Sequence, residues 1–163
     1  MRDIRLVGLP PLIDERARVL ILGSFPSAAS LAAQHYYAHA QNQFWRILAA
    51  VLEQPLAAMD YAAKQAALKA AGIAVWDVYG ACTRDGSLDS AIRDAVPNDF
   101  GRIRKNAPQL RRVCFNGKTA GRFSPTLVAL GYGVVILPST SAANATCGFE
   151  RKCDAWREAL SAP

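Results

Sequence analysis

The chain has 163 residues, of which 52% are hydrophobic and 20% are charged, so we expect one globular domain spanning residues 1–163. Its net charge of +6 favours a polyanionic partner such as nucleic acid. The first residues lack the pattern of a signal peptide, and no apolar run approaches the ~20 residues that cross a bilayer, so we expect a cytoplasmic protein without membrane contact.

Four short apolar runs predict the strands of a parallel sheet. In chain order they lie at residues 18–23, 72–78, 112–117 and 133–138. Each is continuously apolar rather than alternating, as in strands that are buried on both faces. The intervening and following segments predict helices at residues 42–53, 59–71, 99–110, 118–130 and 150–160. This alternation indicates an α/β fold, a three-layer sandwich with a central, mostly parallel four-stranded sheet flanked by helices.

The segments that follow the four strands are the expected place for a binding site. They are residues 24–27, 77–84, 116–118 and 139–141. In open α/β sheets, ligands bind beyond the carboxyl ends of the strands. We therefore expect these four segments to converge at one rim of the sheet.

The segment before the first long helix is rich in aromatic and polar residues. It reads Gln34-His-Tyr-Tyr-Ala-His-Ala-Gln-Asn-Gln-Phe-Trp45. Asn42 stands where the N-cap of that helix is expected, a position that asparagine favours. The Phe44 and Trp45 side chains are expected to pack in the core.

Several segments resemble the motifs of the uracil-DNA glycosylase superfamily. Tyr37-Ala-His-Ala-Gln-Asn-Gln-Phe-Trp45 is similar to the aromatic-Ala-His-Pro-x-Asn-Arg-Phe-Trp stretch of its mismatch-specific branch. Asn116-Gly-Lys-Thr-Ala is similar to a Gly-Lys-x-Ala stretch, and Leu137-Pro-Ser-Thr-Ser lies where the second motif, Pro-Asn/His-Pro-Ser, is found. The resemblance covers essentially the whole chain. It implies a DNA glycosylase, which hydrolyses the N-glycosidic bond of a base flipped out of DNA.

Two departures from the mismatch-specific pattern indicate the branch. Phe25 replaces the water-activating asparagine of the first motif, and Ser139 replaces the asparagine or histidine of the second. The pattern resembles the hypoxanthine-DNA (DNA-deoxyinosine) glycosylases, in which the asparagine before Phe-Trp is catalytic. The resemblance therefore implies that Asn42 is catalytic, orienting water through its side-chain carbonyl, and this role is compatible with capping.

Four residues are expected to bind the base: Phe25, Tyr37, Asp77 and Asn116. Tyr37 matches the aromatic residue that stacks on the flipped base, although a half-buried core tyrosine is the alternative. An ionised Asp77 would accept the ring N–H of hypoxanthine or uracil, or would instead pair with Arg84 or cap a loop. Asn116 would donate from its amide to the base, or would simply occupy a turn.

A further group is expected to contact the DNA backbone: Ser139, Thr140, Ser141, Asn144 and Lys118, with Arg122, Arg151 and Lys152 nearby. Asn144 is the largest candidate for a residue that wedges into the duplex. The expected partner is double- or single-stranded DNA containing a deaminated base, bound by a monomer. The cysteines at positions 82, 114, 147 and 153 form no CxxC pair and have no histidine nearby, so we expect free thiols, no metal and no cofactor.

Two other functions fit the same residues. One is a mismatch-type glycosylase that removes uracil opposite guanine, since Asp77 would serve there too. The other is a non-catalytic nucleic-acid-binding module on the same fold. A nucleotide-binding or flavodoxin-like domain is disfavoured, because the chain has no GxGxxG or GxxxxGKS loop.

Overall fold

The computed structural model describes residues 4–144 and 146–161. Within them the strands are β1 (Arg5–Val7), β2 (Val19–Gly23), β3 (Ile73–Asp77), β4 (Tyr79–Thr83), β5 (Arg93–Pro97), β6 (Arg112–Asn116) and β7 (Gly133–Leu137). The α-helices are α1 (Ala28–Ala33), α2 (Phe44–Leu52), α3 (Tyr61–Ala70), α4 (Ile103–Asn106), α5 (Lys118–Gly121), α6 (Ser124–Ala129) and α7 (Phe149–Ser161). Short 3₁₀ turns lie at Leu56–Ala58, Asp89–Ala91 and Phe100–Arg102.

The four predicted strands form one parallel sheet in the order β3-β2-β6-β7. Their observed ends agree with the predicted ends to within one residue, so these predictions are confirmed. Because all four strands run in the same direction, their carboxyl ends share one edge of the sheet. The last residues of the strands, from edge to edge, are Asp77, Gly23, Asn116 and Leu137.

Alternate side chains of the central strand enter two separate apolar cores. Ile21 packs in the core that contains Phe44 of α2 and Trp156 of α7. Leu20 and Leu22 pack on the opposite face, in the core beneath α4 and α6. Since both faces of the sheet are covered, every position of β2 has to be apolar, which explains the continuous runs in the sequence. The three-layer α/β sandwich is confirmed.

A second sheet is present that the sequence analysis did not predict. Strands β1, β4 and β5 pair antiparallel in the order β1-β4-β5. Only Val78 separates β3 from β4, so most of the segment 77–84, expected as a loop, is a strand. β5 carries Arg93, Asp94 and Pro97 and is largely exposed, and its register with β4 shifts. These features remove the two-residue alternation by which a strand is recognised.

Three predicted helices are confirmed as α2, α3 and α7, with ends that move by one or two residues. The helix expected at residues 99–110 is wrong in extent. It is a 3₁₀ turn followed by the single turn of α4, which ends at Asn106. Ala107 precedes Pro108 and leaves the helical conformation, with φ −140° and ψ 77°, as the proline ring favours.

The helix expected at residues 118–130 is divided into α5 and α6. Pro125 lies in the first turn of α6, where its missing N–H costs no intrahelical hydrogen bond. Helix α1 was not predicted. Its N-cap is Ser27, whose side chain accepts a hydrogen bond from the backbone N–H of Ser30. It places the turn after β2 beside the edge of the parallel sheet.

Candidate active site

A cavity of about 790 Å³ opens at the carboxyl edge of the parallel sheet. It is lined by residues 24–27, Asp77, residues 116–118 and residues 139–141, which confirms the predicted convergence of these segments. The rest of the segment 77–84 does not line it, because the chain continues there into β4. The loop before α2 adds Tyr36, Tyr37, His39 and Asn42 to the wall, and residues 87–89, which the sequence analysis did not single out, line it as well.

Asn42 lies just before α2, and two donors hold its side-chain oxygen. Oδ1 accepts a hydrogen bond from the backbone N–H of Phe44 at 2.9 Å and another from the Thr140 hydroxyl at 2.9 Å. The N-cap position belongs to Gln43, one residue later than expected, and its side chain makes no capping bond. Since both acceptor sites of Oδ1 are occupied, holding water through this oxygen would require one of these bonds to be exchanged, and that role stays a prediction. Among the described residues, Nδ2 of Asn42 has no partner.

Thr140 is fully buried and connects Asn42 to Asn116. Its hydroxyl donates to Asn42 and accepts from Nδ2 of Asn116 at 3.0 Å. Its backbone N–H donates to Oδ1 of Asn116 at 2.9 Å. The prediction that Thr140 contacts DNA through its hydroxyl is therefore wrong, because the side chain has no exposed surface. Thr140 instead fixes the relative positions of the two asparagines.

The amide group of Asn116 is also saturated by the protein. Nδ2 donates to the hydroxyl of Tyr37 at 3.1 Å and to the hydroxyl of Thr140. These two bonds use both of its N–H groups. Donation from Asn116 to a base therefore requires one of them to be exchanged. In the structure Asn116 ties the end of β6 to the loops on both sides of the cavity.

Tyr37 is stacked on Phe44, with ring centroids 3.9 Å apart and an angle of 17° between the planes. Its backbone has a φ of 56°, in the left-handed region that bulky residues seldom adopt. The half-buried residue lines the cavity, and its hydroxyl is held by Asn116. Both expected environments are thus combined, since the ring packs on the core through Phe44 and borders the cavity. Its stacking on a base stays a prediction.

Asp77 ends β3 and lies in the cavity wall with only 5% of its surface exposed. Among the described residues no donor bonds to its carboxyl group, and Oδ2 is shielded from solvent without a partner. Burial raises the pKa of Asp77 to about 7. The charge of Asp89 acts in the same direction, whereas Arg84 opposes it.

Arg84 does not form the ion pair with Asp77 that was one of the expectations. Its guanidinium donates to the backbone carbonyls of Pro26 and Gly86 and lies 5.2 Å from the centre of the Phe25 ring. Phe25 is 7% exposed and forms part of the cavity wall beneath this guanidinium. Contact between Phe25 and a base stays a prediction.

Gly23, at the end of β2, is required by the close approach of two site residues. A Cβ at this position would lie 2.6 Å from Oδ1 of Asp77 and 2.8 Å from the hydroxyl oxygen of Tyr37. The φ of Gly23 is not positive, so the space taken by the two side chains, rather than a special backbone conformation, demands glycine.

The loop after β7 is braced by hydrogen bonds within itself. Oγ of Ser139 accepts from the backbone N–H of Ser141 at 3.1 Å, and Oγ of Ser141 accepts from that of Ala143 at 3.2 Å. Nδ2 of Asn144 donates to the carbonyl of Ser139 at 3.3 Å. Asn144 is therefore bound to its own loop in this state. Lys118 is exposed at the mouth of the cavity, and the DNA contacts of these residues stay predictions.

Lys152 was expected near phosphates, but its side chain is 2% exposed. Nζ donates to Oε1 of Gln43, the residue that follows Asn42, at 2.8 Å. Burial lowers the pKa of the amine. The expected contact with DNA is therefore wrong. The burial of Lys152 could have been predicted from the sequence of α7. Lys152 is one turn before the buried Trp156 and thus on the apolar face of the helix.

Within residues 4–144 and 146–161, no group of three or more His, Cys, Asp or Glu side chains is arranged to hold a metal ion. The four cysteines are unpaired thiols, and three of them are buried. In the same part of the chain, no helix has the length and apolarity needed to span a bilayer.

The sequence family described as the Uracil DNA glycosylase superfamily matches residues 10–161. The chain belongs to the uracil DNA glycosylase superfamily. The match includes every segment that lines the cavity, so the superfamily assignment applies to the site as well as to the sheet.

Two relatives are similar in sequence to this chain over most of their own length. A protein of Methanosarcina acetivorans named Hypoxanthine DNA glycosylase is 43% identical over 84% of this chain and 87% of its own. A protein of Methanosarcina barkeri with the same name is 41% identical over 94% of this chain and 96% of its own. A solution NMR structure of a Methanosarcina acetivorans protein, whose description proposes a uracil DNA glycosylase, has a TM-score of 0.87 and 39% identity. It covers 96% of this chain and 97% of its own.

Proposed function

We propose that the protein is a hypoxanthine-DNA glycosylase that hydrolyses the bond between hypoxanthine and deoxyribose in DNA. Two relatives that are 41–43% identical carry this name. The observation that carries the proposal is the placement of Asn42 in the cavity wall, held by Phe44 and Thr140. Asn42 is the asparagine that the resemblance to this branch implies as catalytic.

The reaction requires the base to leave the DNA stack, because the sugar carbon cannot be reached inside a duplex. The flipped hypoxanthine enters the cavity and stacks on Tyr37, an interaction worth roughly 1–3 kcal/mol. The C1′–N9 bond then breaks and its electron pair leaves with the base. The oxygen of a water molecule bonds to C1′ and loses a proton to solvent, while the departing base takes one up. The products are free hypoxanthine and an abasic site.

Asn42 positions the attacking water without acting as a base. Its free Nδ2 group donates to the water oxygen, whose remaining lone pair faces C1′. Because an amide removes no proton, the chemistry depends on departure of the base, and we expect a slow enzyme. The DNA backbone is held by the basic and hydroxyl side chains at the mouth of the cavity: Lys118, Ser139 and Ser141. The substrate is double- or single-stranded DNA that contains the deaminated base.

A panel of oligonucleotides carrying hypoxanthine, uracil or xanthine tests the proposal. Under single-turnover conditions, strand cleavage after alkali treatment reports each abasic product. We expect hypoxanthine to be released fastest. Faster release of uracil opposite guanine would instead establish a mismatch-type uracil glycosylase, and DNA binding without any abasic product would establish a non-catalytic module.

The Asn42→Ala variant tests the assigned catalytic residue in the same assay. We expect its rate of hypoxanthine release to fall by about 100-fold, since it loses the group that positions water. The Asn106→Ala variant is the matched control, because Asn106 is exposed at the end of α4 and does not line the cavity. A rate in Asn42→Ala equal to that of the control would remove Asn42 from the mechanism.

A further inference from the structure

The carboxyl group of Asp77 is buried in the base cavity without a hydrogen bond or an ion pair from the described residues. It is 95% buried, and among the described residues neither oxygen receives a hydrogen bond. The guanidinium of Arg84 acts on Asp77 without bonding to it: it donates to the carbonyls of Pro26 and Gly86, and its Nη1 has no partner among the described residues. A buried ionised carboxylate without a partner is strongly disfavoured, whereas its protonated form is not.

The titratable groups that face Asp77 do not supply the missing positive charge. Tyr36 and Tyr37 come from the loop before α2 and have pKa values raised by burial and by the charge of Asp77. Asp89 adds a second negative charge, and Arg84 is the one cation that lowers the pKa of Asp77 among the groups that act on it. The net result is the rise in the pKa of Asp77 to about 7.

We propose that Asp77 works as a neutral carboxylic acid that donates an O–H hydrogen bond to the 6-carbonyl oxygen of the flipped base. Because Oδ2 is shielded from solvent, Oδ1 is the oxygen that carries the proton and makes this contact. The proton stays on Asp77 throughout. The inference rests on the proposed function and names the group in that site which stabilises the departing base.

The charge that develops during the reaction explains why the neutral form is needed. Negative charge accumulates on hypoxanthine as the C1′–N9 bond breaks, and part of it is delocalised to the 6-carbonyl oxygen. A donor placed at this oxygen binds the transition state more tightly than the ground state. An ionised Asp77 would repel the same oxygen. It could still accept the ring N–H, but it would oppose the departure of the base.

The pH dependence of single-turnover hypoxanthine release separates the two forms of Asp77. If the neutral acid is required, the wild-type rate is highest in mild acid and falls by about tenfold per pH unit above the pKa of Asp77. A wild-type rate that is constant or rises between about pH 6 and pH 8.5 would overturn the proposal, because an ionised acceptor or a group other than Asp77 would then be acting.

Two variants assign the titration to Asp77. Asp77→Asn keeps a donor and an acceptor at the same place but cannot ionise, so we expect measurable release, within about tenfold of wild type in mild acid, and no fall above neutral pH. Asp77→Leu removes both groups and should lose about 100-fold or more at every pH. Asp154→Asn is the matched control, since this carboxylate has a side-chain exposure of 78%, and it should titrate as wild type does.

The substrate provides a second test that requires no folded variant at Asp77. An oligonucleotide with 1-deazapurine in place of hypoxanthine lacks both the 6-carbonyl group and a ring acceptor at position 1, so release of this base by the wild-type protein should not show the loss above neutral pH. The same loss for both bases would refute the proposal. Absence of abasic product from hypoxanthine DNA at every pH would refute the proposed function instead, so the two failures are distinguishable.

Discussion

The side chain of Thr140 forms hydrogen bonds with two asparagines of the site. Its hydroxyl proton is directed to Oδ1 of Asn42, and its oxygen accepts from Nδ2 of Asn116. Among the described residues, the amide nitrogen of Asn42 is therefore the group left without a partner, whereas its oxygen is occupied. The orientation of the Asn42 amide, which we propose to be catalytic, is set by a residue that the sequence analysis assigned to DNA binding.

The Thr140→Val variant tests this positioning. Valine has nearly the same shape but removes the donor to Asn42 and leaves one N–H of Asn116 without an acceptor, a loss of about 1–3 kcal/mol. We expect the single-turnover rate to fall by about tenfold to 100-fold while the affinity for DNA is retained. Thr140→Ser should recover most of the rate. A phosphate contact would give the opposite result, with weaker DNA binding and an unchanged rate at saturating protein.

The parallel strands show which parts of the site a sequence can reveal. Continuous apolar runs identify β2, β3, β6 and β7, and their common direction brings Asp77 and Asn116 to one edge. The hydrogen-bond partners at that edge could not be predicted, because Tyr37, Thr140 and Asn116 meet only after the chain has folded. The antiparallel sheet was missed because β1 and β5 are largely exposed and the pairing of β4 with β5 is irregular, so burial imposes no alternating pattern on these strands.

The ends of the parallel strands also impose steric limits on the site, and Gly23→Ala tests them. The added methyl group would overlap Asp77 and Tyr37, which both border the cavity. We expect a destabilisation of about 1–3 kcal/mol, as for other overpacked sites, and a loss of activity that exceeds the loss of folded protein. Thermal unfolding and single-turnover release measured on the same sample separate the two effects.

The control for this substitution is Gly133→Ala at the start of β7. A Cβ there would be 3.6 Å from the carbonyl oxygen of Arg111, an ordinary van der Waals distance, and it would lie at the opposite edge of the sheet. We expect this variant to retain wild-type release of hypoxanthine. Equal activity in the two alanine variants would show that Asp77 and Tyr37 do not need the space above Gly23.

At the scale of the whole molecule, the burial of Asp77 links folding to pH. The pKa of Asp77 rises from 3.8, the value taken for the unfolded chain, to about 7 in the folded protein. Below the lower value both states are protonated, and Asp77 adds no pH dependence. Between the two values the folded state holds the extra proton, so the free energy of unfolding decreases as the pH rises. Above the higher value Asp77 is ionised in both states, and the loss of unfolding free energy caused by the buried charge no longer changes with pH.

Comparison of Asp77→Asn with the wild-type protein measures this penalty without DNA. The variant cannot ionise, so its advantage in unfolding free energy should grow by about 2 kcal/mol from about pH 5 to about pH 8. The free energy of unfolding of Asp154→Asn should change with pH as that of wild type does, because an exposed carboxylate contributes little to stability. Urea unfolding at several pH values gives the difference. Parallel curves for Asp77→Asn and wild type would mean that Asp77 is ionised in the folded protein at mildly acidic pH. A midpoint shared with the pH profile of hypoxanthine release would trace stability and catalysis to the same proton.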